Sequence, residues 1–223
     1  MTVPELLASL TGTFQAAADP ERAAGMAAYM RDQFPFLGIP TPERRKLGRA
    51  VQAVPRKPLE EEVAEIALAC WGLPHREYQY FGTDYVCRHI GACGPDFLGT
   101  VERLLVTKPW WDTVDALAAH AVGPLVADSP GLVAVMDEWA AGPELWLART
   151  AILHQLTYKG RTDAARLFGY CTDLAGHPDF FIRKAIGWSL REYAKTEPES
   201  VRSYMEGTPG LSPLSRREAL KNL

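Results

Sequence analysis

The stretch Trp146-Leu147-Ala148-Arg149-Thr150-Ala151-Ile152 overlays Phe180-Phe181-Ile182-Arg183-Lys184-Ala185-Ile186 at an offset of 34 residues, and Leu156 then overlays Leu190. The same period runs through the whole chain. Pro40, Pro74, Pro109, Pro143, Pro178 and Pro213 follow one another at intervals of 34, 35, 34, 35 and 35 residues. A fixed repeat of this length, read in helices, means stacked helical pairs. The expectation is an all-α solenoid, residues 1–223 forming one continuous domain, with a concave surface suited to a long partner.

Helix signals support that reading. Each ladder proline falls at or just before a helix start, where its missing N–H is not needed. Asp19-Pro20-Glu21-Arg22 offers an N-cap, a helix-compatible proline and an acidic first turn for a helix over Ala23–Phe34. Thr41-Pro42-Glu43 does the same for Arg44–Val54, Pro58 and the acids Glu60–Glu62 open a further helix, and Ser212-Pro213 opens the last. No alternation of β-branched residues between turn dipeptides points to strands, and neither a Gly-rich phosphate loop nor a GxSxG elbow is present.

Composition bounds the function less tightly. The chain has 223 residues, 47% of them hydrophobic, and a formal net charge of −3. The charge is uneven: residues 1–140 hold 12 Lys/Arg against 18 Asp/Glu, and residues 141–223 hold 12 against 9. A basic C-terminal part can bind an anion while the total stays acidic. Cys70, Cys87, Cys93 and Cys171 form no CxxC pair and no zinc spacing with the five histidines, so free thiols in a reducing compartment are expected. The N-terminal stretch lacks the features of a signal peptide, and no uncharged apolar run approaches the ~18 residues of a membrane span. A cytoplasmic protein without a membrane partner is the expectation.

Counted from each ladder proline, position +6 is Lys46, Tyr80, Asp115, Arg149 and Lys184 in five successive repeats. A solenoid core does not need this polar set, so it is expected on the concave face. Trp111 lies one turn before Asp115, Trp188 one turn after Lys184, and Arg191 three residues further, each on the same face of its helix. The direct overlay pairs Arg149 with Arg183, whereas the proline count pairs it with Lys184. Several residues admit a plainer reading: Trp110 and Trp146 as core, and from periodicity alone Trp111 and Trp188 as well, Asp112 and Asp115 as first-turn acids, Arg149 as a solvated or repeat-bridging arginine, Arg44-Arg45-Lys46 as a solvated face, and His154 and His177 as core or surface residues.

Three segments taken together carry more. Leu37-Gly38-Ile39-Pro40-Thr41-Pro42-Glu43-Arg44-Arg45, Thr107-Lys108-Pro109-Trp110-Trp111-Asp112-Thr113-Val114-Asp115 and Arg183 to Lys195 (RKAIGWSLREYAK), with the closing Pro213-Leu214-Ser215-Arg216-Arg217-Glu218-Ala219, closely resemble the AlkD family of bacterial DNA alkylation repair proteins. The likeness spans nearly the whole chain. It implies a right-handed HEAT-like solenoid with a concave DNA-binding face. It also implies a monomeric glycosylase that removes N7- and N3-alkylated purines from duplex DNA without a cofactor or metal. The family's catalytic triplet falls on Trp111, Asp115 and Trp188. Its DNA-backbone arginines fall on Arg149 and Arg191, and its tyrosine near the N-terminal helices on Tyr29; Lys184, on the same helix face as Arg191, and Thr41 and Arg45 in the first segment are further candidate DNA contacts. The resemblance further implies that the lesion base stays in or near the stack. With the chain ending soon after its last helix, that helix is expected to fray. A non-catalytic repeat scaffold that binds nucleic acid or protein is the alternative, and a scaffold has no reason to gather the triplet around one point.

Overall fold

The computed structural model describes residues 2–52 and 57–222, and among them every regular element is helical. They group into two compact units, Met1–Thr100 and Val101–Leu223. Among the described residues no single helix is long and apolar enough to cross a membrane.

The first unit holds α1 (Val3–Ala16), α2 (Pro20–Tyr29), α3 (Thr41–Val51), α4 (Glu60–Gly72) and α5 (Arg76–His89). Helix α1 packs on α3 and α4, and α5 packs on both α3 and α4. Leu10, Phe14, Val63, Ile66 and Phe81 are buried there, and Phe14 stacks on Tyr78 with ring centroids 5.7 Å apart. Helix α2 is capped as its sequence predicts, the Asp19 carboxylate accepting from the Glu21 and Arg22 amides at 3.1 Å. It stops at Tyr29, short of the expected Phe34. The Arg31 amide reaches back to Ala28 and the Asp32 amide to Ala27, which is the paired terminal bonding of a Schellman turn. Arg31 takes the left-handed conformation this requires, at φ 56°, and Asp32 follows it at φ 55°. Helix α3 ends at Val51; the last residues of the expected extension to Val54 lie outside the described residues.

The Leu37-Gly38-Ile39-Pro40 segment has a specific job in this unit. The amides of Leu37, Gly38 and Ile39 all donate to the fully buried Glu77 carboxylate at 2.8–3.2 Å. Gly38 sits at φ 88°, and a Cβ there would fall 2.1 Å from the Asp19 carbonyl oxygen. Only glycine fits, because the turn needs both the left-handed backbone and the missing side chain.

Helix α6 (Leu98–Val106) leads into the second unit. There follow α7 (Trp111–Leu117), a π-helical turn over Ala118–Val122, α8 (Gly123–Asp128), α9 (Val133–Ala141), α10 (Leu145–Leu153), α11 (Ala164–Asp173), α12 (Phe180–Ala194), α13 (Pro198–Gly207) and α14 (Pro213–Ala219). Each helix after a ladder proline packs on the next: α7 on α10, α10 on α12, and α12 on α14. Helices α9 and α11 back α10, and α13 backs α12. The repeat therefore reads directly as a layer of post-proline helices with a second layer behind it. Side-chain caps start the front helices, with Glu144, Asp179 and Ser212 accepting from amides two or three residues on.

Helix α7 runs on through the π turn into α8 without a break, and Pro124 lies at the start of α8. In the π turn the Gly123 amide donates five residues back, to Ala118. The matching donor for the Ala119 carbonyl would be residue 124, which has no N–H. The Thr157 hydroxyl approaches that carbonyl at 3.5 Å, and the Tyr158 hydroxyl donates to the Gly123 carbonyl at 2.6 Å. A Cβ on Gly123 would lie 2.4 Å from the His154 carbonyl oxygen, so α8 approaches the next repeat closely at this point.

Candidate functional site

Two of the polar residues at one-repeat spacing, Asp115 and Arg149, meet in the second unit. Asp115 on α7 and Arg149 on α10, 34 positions apart, form a two-pronged ion pair: Nε to Oδ1 at 2.7 Å and Nη2 to Oδ2 at 2.8 Å. The remaining guanidinium nitrogen, Nη1, donates to the Phe181 carbonyl in the first turn of α12. Three successive front helices are thus tied by one arginine side chain that is 5% exposed. Arg149 directs these donors at protein acceptors, so it bridges repeats.

An aromatic cluster underpins this pair. Trp110, Trp146 and Phe181 sit with ring centroids 5.0–5.9 Å apart, and the Arg149 guanidinium carbon lies 5.9 Å from the Phe181 ring centre. Trp146 is buried, as its plainer reading expects. Trp111 begins α7 one turn before Asp115, and Trp188 lies on α12 two turns after Phe181; both are half-buried. Burial pushes the Asp115 carboxyl above the usual aspartate value. The Arg149 hydrogen bonds and charge pull it back down, and neighbouring Asp112 adds to the rise.

On α12, Lys184, Trp188 and Arg191 share one face. Both cations turn to Glu218 of α14: Lys184 Nζ lies 3.1 Å from Oε1 and Arg191 Nη1 lies 3.2 Å from Oε2. Lys221 donates to both oxygens at 2.8 and 2.9 Å. The Lys221 hydrogen bonds, with Lys184 contributing next, hold the Glu218 carboxyl down at about 2. Gly187 makes room for this arrangement. A Cβ there would come 2.5 Å from Glu218 Cβ and 2.7 Å from the Ser215 carbonyl oxygen. The Ser215 hydroxyl adds a bond to the Arg183 carbonyl at 2.9 Å. Helix α14 is docked on α12 by these contacts, with Ser215, Glu218 and Ala219 buried, rather than frayed.

The remaining residues implied by the resemblance belong to the first unit. Tyr29 ends α2 at 72% exposure. Thr41 and Arg45 are exposed on α3, with Arg45 Nε 3.8 Å from the Asp84 carboxylate. Arg44, by contrast, is buried and bonds Asp84 at 2.8 Å, so the Arg44-Arg45-Lys46 run is not a uniformly solvated face. His154 is buried, its Nδ1 2.7 Å from the Ala151 carbonyl, and burial lowers its pKa to about 4. His177 accepts from the Asp179 amide at 3.1 Å. Both histidines take structural places. Cys70 and Cys171 are buried and Cys87 and Cys93 half-buried, all four free, with burial raising the Cys70 and Cys171 thiols to about 12.

Sequence reasoning overlooked Glu218, Gly187 and Glu77. A signal for the first was present. Residues one period apart face each other across adjacent repeats, and Lys184 and Glu218 are opposite charges 34 positions apart, as are Asp115 and Arg149.

Stacked helical pairs tied across repeats by carboxylate–cation pairs define a helical-repeat protein. The chain belongs to the DNA alkylation repair enzyme family, whose model matches residues 10–223. It is similar to a solved structure described as a "Predicted DNA alkylation repair enzyme from Enterococcus faecalis", at 33% identity and a TM-score of 0.82, covering 92% of this chain and 96% of that one. No curated protein matches the chain. Family membership makes this a DNA repair enzyme concerned with alkylation damage.

Proposed function

We propose that the protein is a DNA glycosylase that hydrolyses the N-glycosidic bond of N7- and N3-alkylated purines, such as 7-methylguanine and 3-methyladenine, in duplex DNA. The observation that carries this reading is the Asp115 carboxylate, fixed by Arg149 on the helix that also bears Trp111.

An N7-alkylated guanine is cationic, so its base leaves as a neutral molecule and needs no general acid. The C1′–N9 bond breaks with its electron pair going to N9, and the sugar becomes an oxocarbenium ion. Water then bonds to C1′ and its proton passes to solvent, leaving the sugar hydroxyl. The protein has to stabilise the positive sugar. A carboxylate at about 4 Å and an effective dielectric near 20 contributes on the order of 4 kcal/mol before desolvation. Each tryptophan face adds roughly 0.5–2 kcal/mol. At about 1.4 kcal/mol per power of ten, the sum amounts to several powers of ten in rate. Asp115 also serves to orient the attacking water. In this mechanism Trp111 and Trp188 press on the lesion's sugar while the base stays in or near the stack, in contrast to enzymes that flip the base into a pocket.

Lys184 and Arg191 hold the phosphates beside the lesion, and Tyr29, Thr41 and Arg45 contact the duplex elsewhere. Arg149 serves chiefly to aim and ionise Asp115. The test is incubation with duplex DNA bearing one 7-methylguanine, followed by mass spectrometry of the supernatant. Release of free 7-methylguanine supports the reading. Intact DNA tightly bound to the protein would favour a non-catalytic scaffold.

A further inference from the structure

Lys184 and Arg191 are seven residues apart on α12, about 10 Å along a helix axis. Left to themselves, two solvated cations at that spacing would diverge. Here they converge on opposite oxygens of one carboxylate, 3.1 and 3.2 Å away, so both lean over the turn that carries Gly187 and Trp188. The carboxylate is not free to wander. Its side chain is 6% exposed, its backbone is held against α12 at Gly187, and Lys221 bonds both of its oxygens. Three cations share one anion, which leaves an excess of two positive charges for a further anion.

We propose that Glu218 is a positioning residue: a built-in counter-anion that holds Lys184 and Arg191 on either side of Trp188 in the geometry that receives the phosphodiester next to the lesion. The inference rests on the reading of this face as the lesion site. Its physical basis is preorganisation. Long, flexible side chains lose much rotamer freedom when they grip a phosphate, and a fixed anion between them removes that loss before DNA arrives. Its cost is attraction, since the same carboxylate cancels one unit of positive charge on the DNA-binding face.

Those two effects separate in an experiment. Glu218→Gln removes the charge and keeps the size, whereas Glu218→Asp keeps the charge and shortens the reach. Affinity for undamaged duplex is measured against salt concentration, and base release is measured in single turnover on duplex bearing 7-methylguanine. Glu218→Gln should bind undamaged duplex about three- to tenfold more tightly at low salt, with a log–log salt slope steeper by about one, yet release the base about tenfold more slowly. Glu218→Asp should keep the wild-type slope and also slow release. Wild-type release rates in both variants, or an unchanged slope in Glu218→Gln, would overturn the proposal. Should Glu218→Gln not fold, as read by circular dichroism, release by Glu218→Asp decides: slow release supports the proposal and wild-type release overturns it. A wild-type protein that binds duplex but releases no base would fail the glycosylase reading, while the salt slopes would still test the role of Glu218.

Discussion

Replacing Arg149 with methionine strips the guanidinium from a nearly fully buried ion pair while keeping most of the side chain's volume. The Asp115 carboxylate, 15% exposed, is then left without its two hydrogen bonds, and the Phe181 carbonyl without one. Breaking a buried pair on one side costs about 3–5 kcal/mol, because a charge stays behind in a poorly solvating place. The loss depends on pH in a defined direction. Burial already raises the Asp115 pKa despite Arg149, so removing Arg149 raises it further. A carboxyl whose folded-state pKa lies above its unfolded value favours folding below the unfolded pKa and loses that contribution as pH rises through the folded one. The stability deficit of the variant should therefore be greatest near neutrality and shrink in acid. Thermal melts between about pH 4 and pH 8 measure it against the ordinary aspartate pKa. In the proposed mechanism the reaction needs the ionised carboxylate, so the acid limb of the rate profile should also move to higher pH. The double variant Arg149→Met with Asp115→Asn should recover much of the stability and none of the activity. A deficit independent of pH, together with an unmoved acid limb, would refute the claim that Arg149 keeps Asp115 charged.

Gly187→Ala should destabilise by about 1–3 kcal/mol through overpacking and should slow base release, as α14 is pushed off α12; chemical denaturation and single-turnover kinetics check both. His154→Leu should retain base release, since no general acid is required. The same variant should resist acid better, because a histidine depressed to about 4 contributes stability above its unfolded pKa near 6.5 and loses it as pH falls through that window. Glu77→Ala should destabilise strongly, as the three amides of Leu37, Gly38 and Ile39 lose their shared acceptor at about 1–3 kcal/mol for each buried group left unpaired; urea melts give the size of the loss.

The repeat was legible because proline marks helix starts for a covalent reason, and six of them at one spacing leave little freedom of interpretation. What lay beyond the sequence was the set of contacts that a period alone does not specify. The end of α2 is fixed by Arg31 and Asp32 in left-handed conformations, which glycine would have advertised and these residues conceal. The ambiguity in aligning Arg149 is resolved by side-chain direction. Lys184 carries an inter-repeat ion pair as Arg149 does, while Arg183 turns to the His177 carbonyl at 2.8 Å, so the proline count gives the register of the inter-repeat ion pairs. The need for Gly187 and Gly38 arises from backbones of distant segments passing too close for a side chain. No local pattern reports such an approach.

The most direct test of the mechanism is single-turnover base release by the wild type and by Asp115→Asn, on duplexes carrying either a cationic 7-methylguanine or a neutral purine lesion. A cationic base departs readily and leans less on the protein, so the account predicts slower release in the variant on both substrates, with the larger loss on the neutral one, while affinity for duplex DNA stays close to wild type. Wild-type rates in Asp115→Asn on both substrates would contradict stabilisation of the sugar cation by this carboxylate.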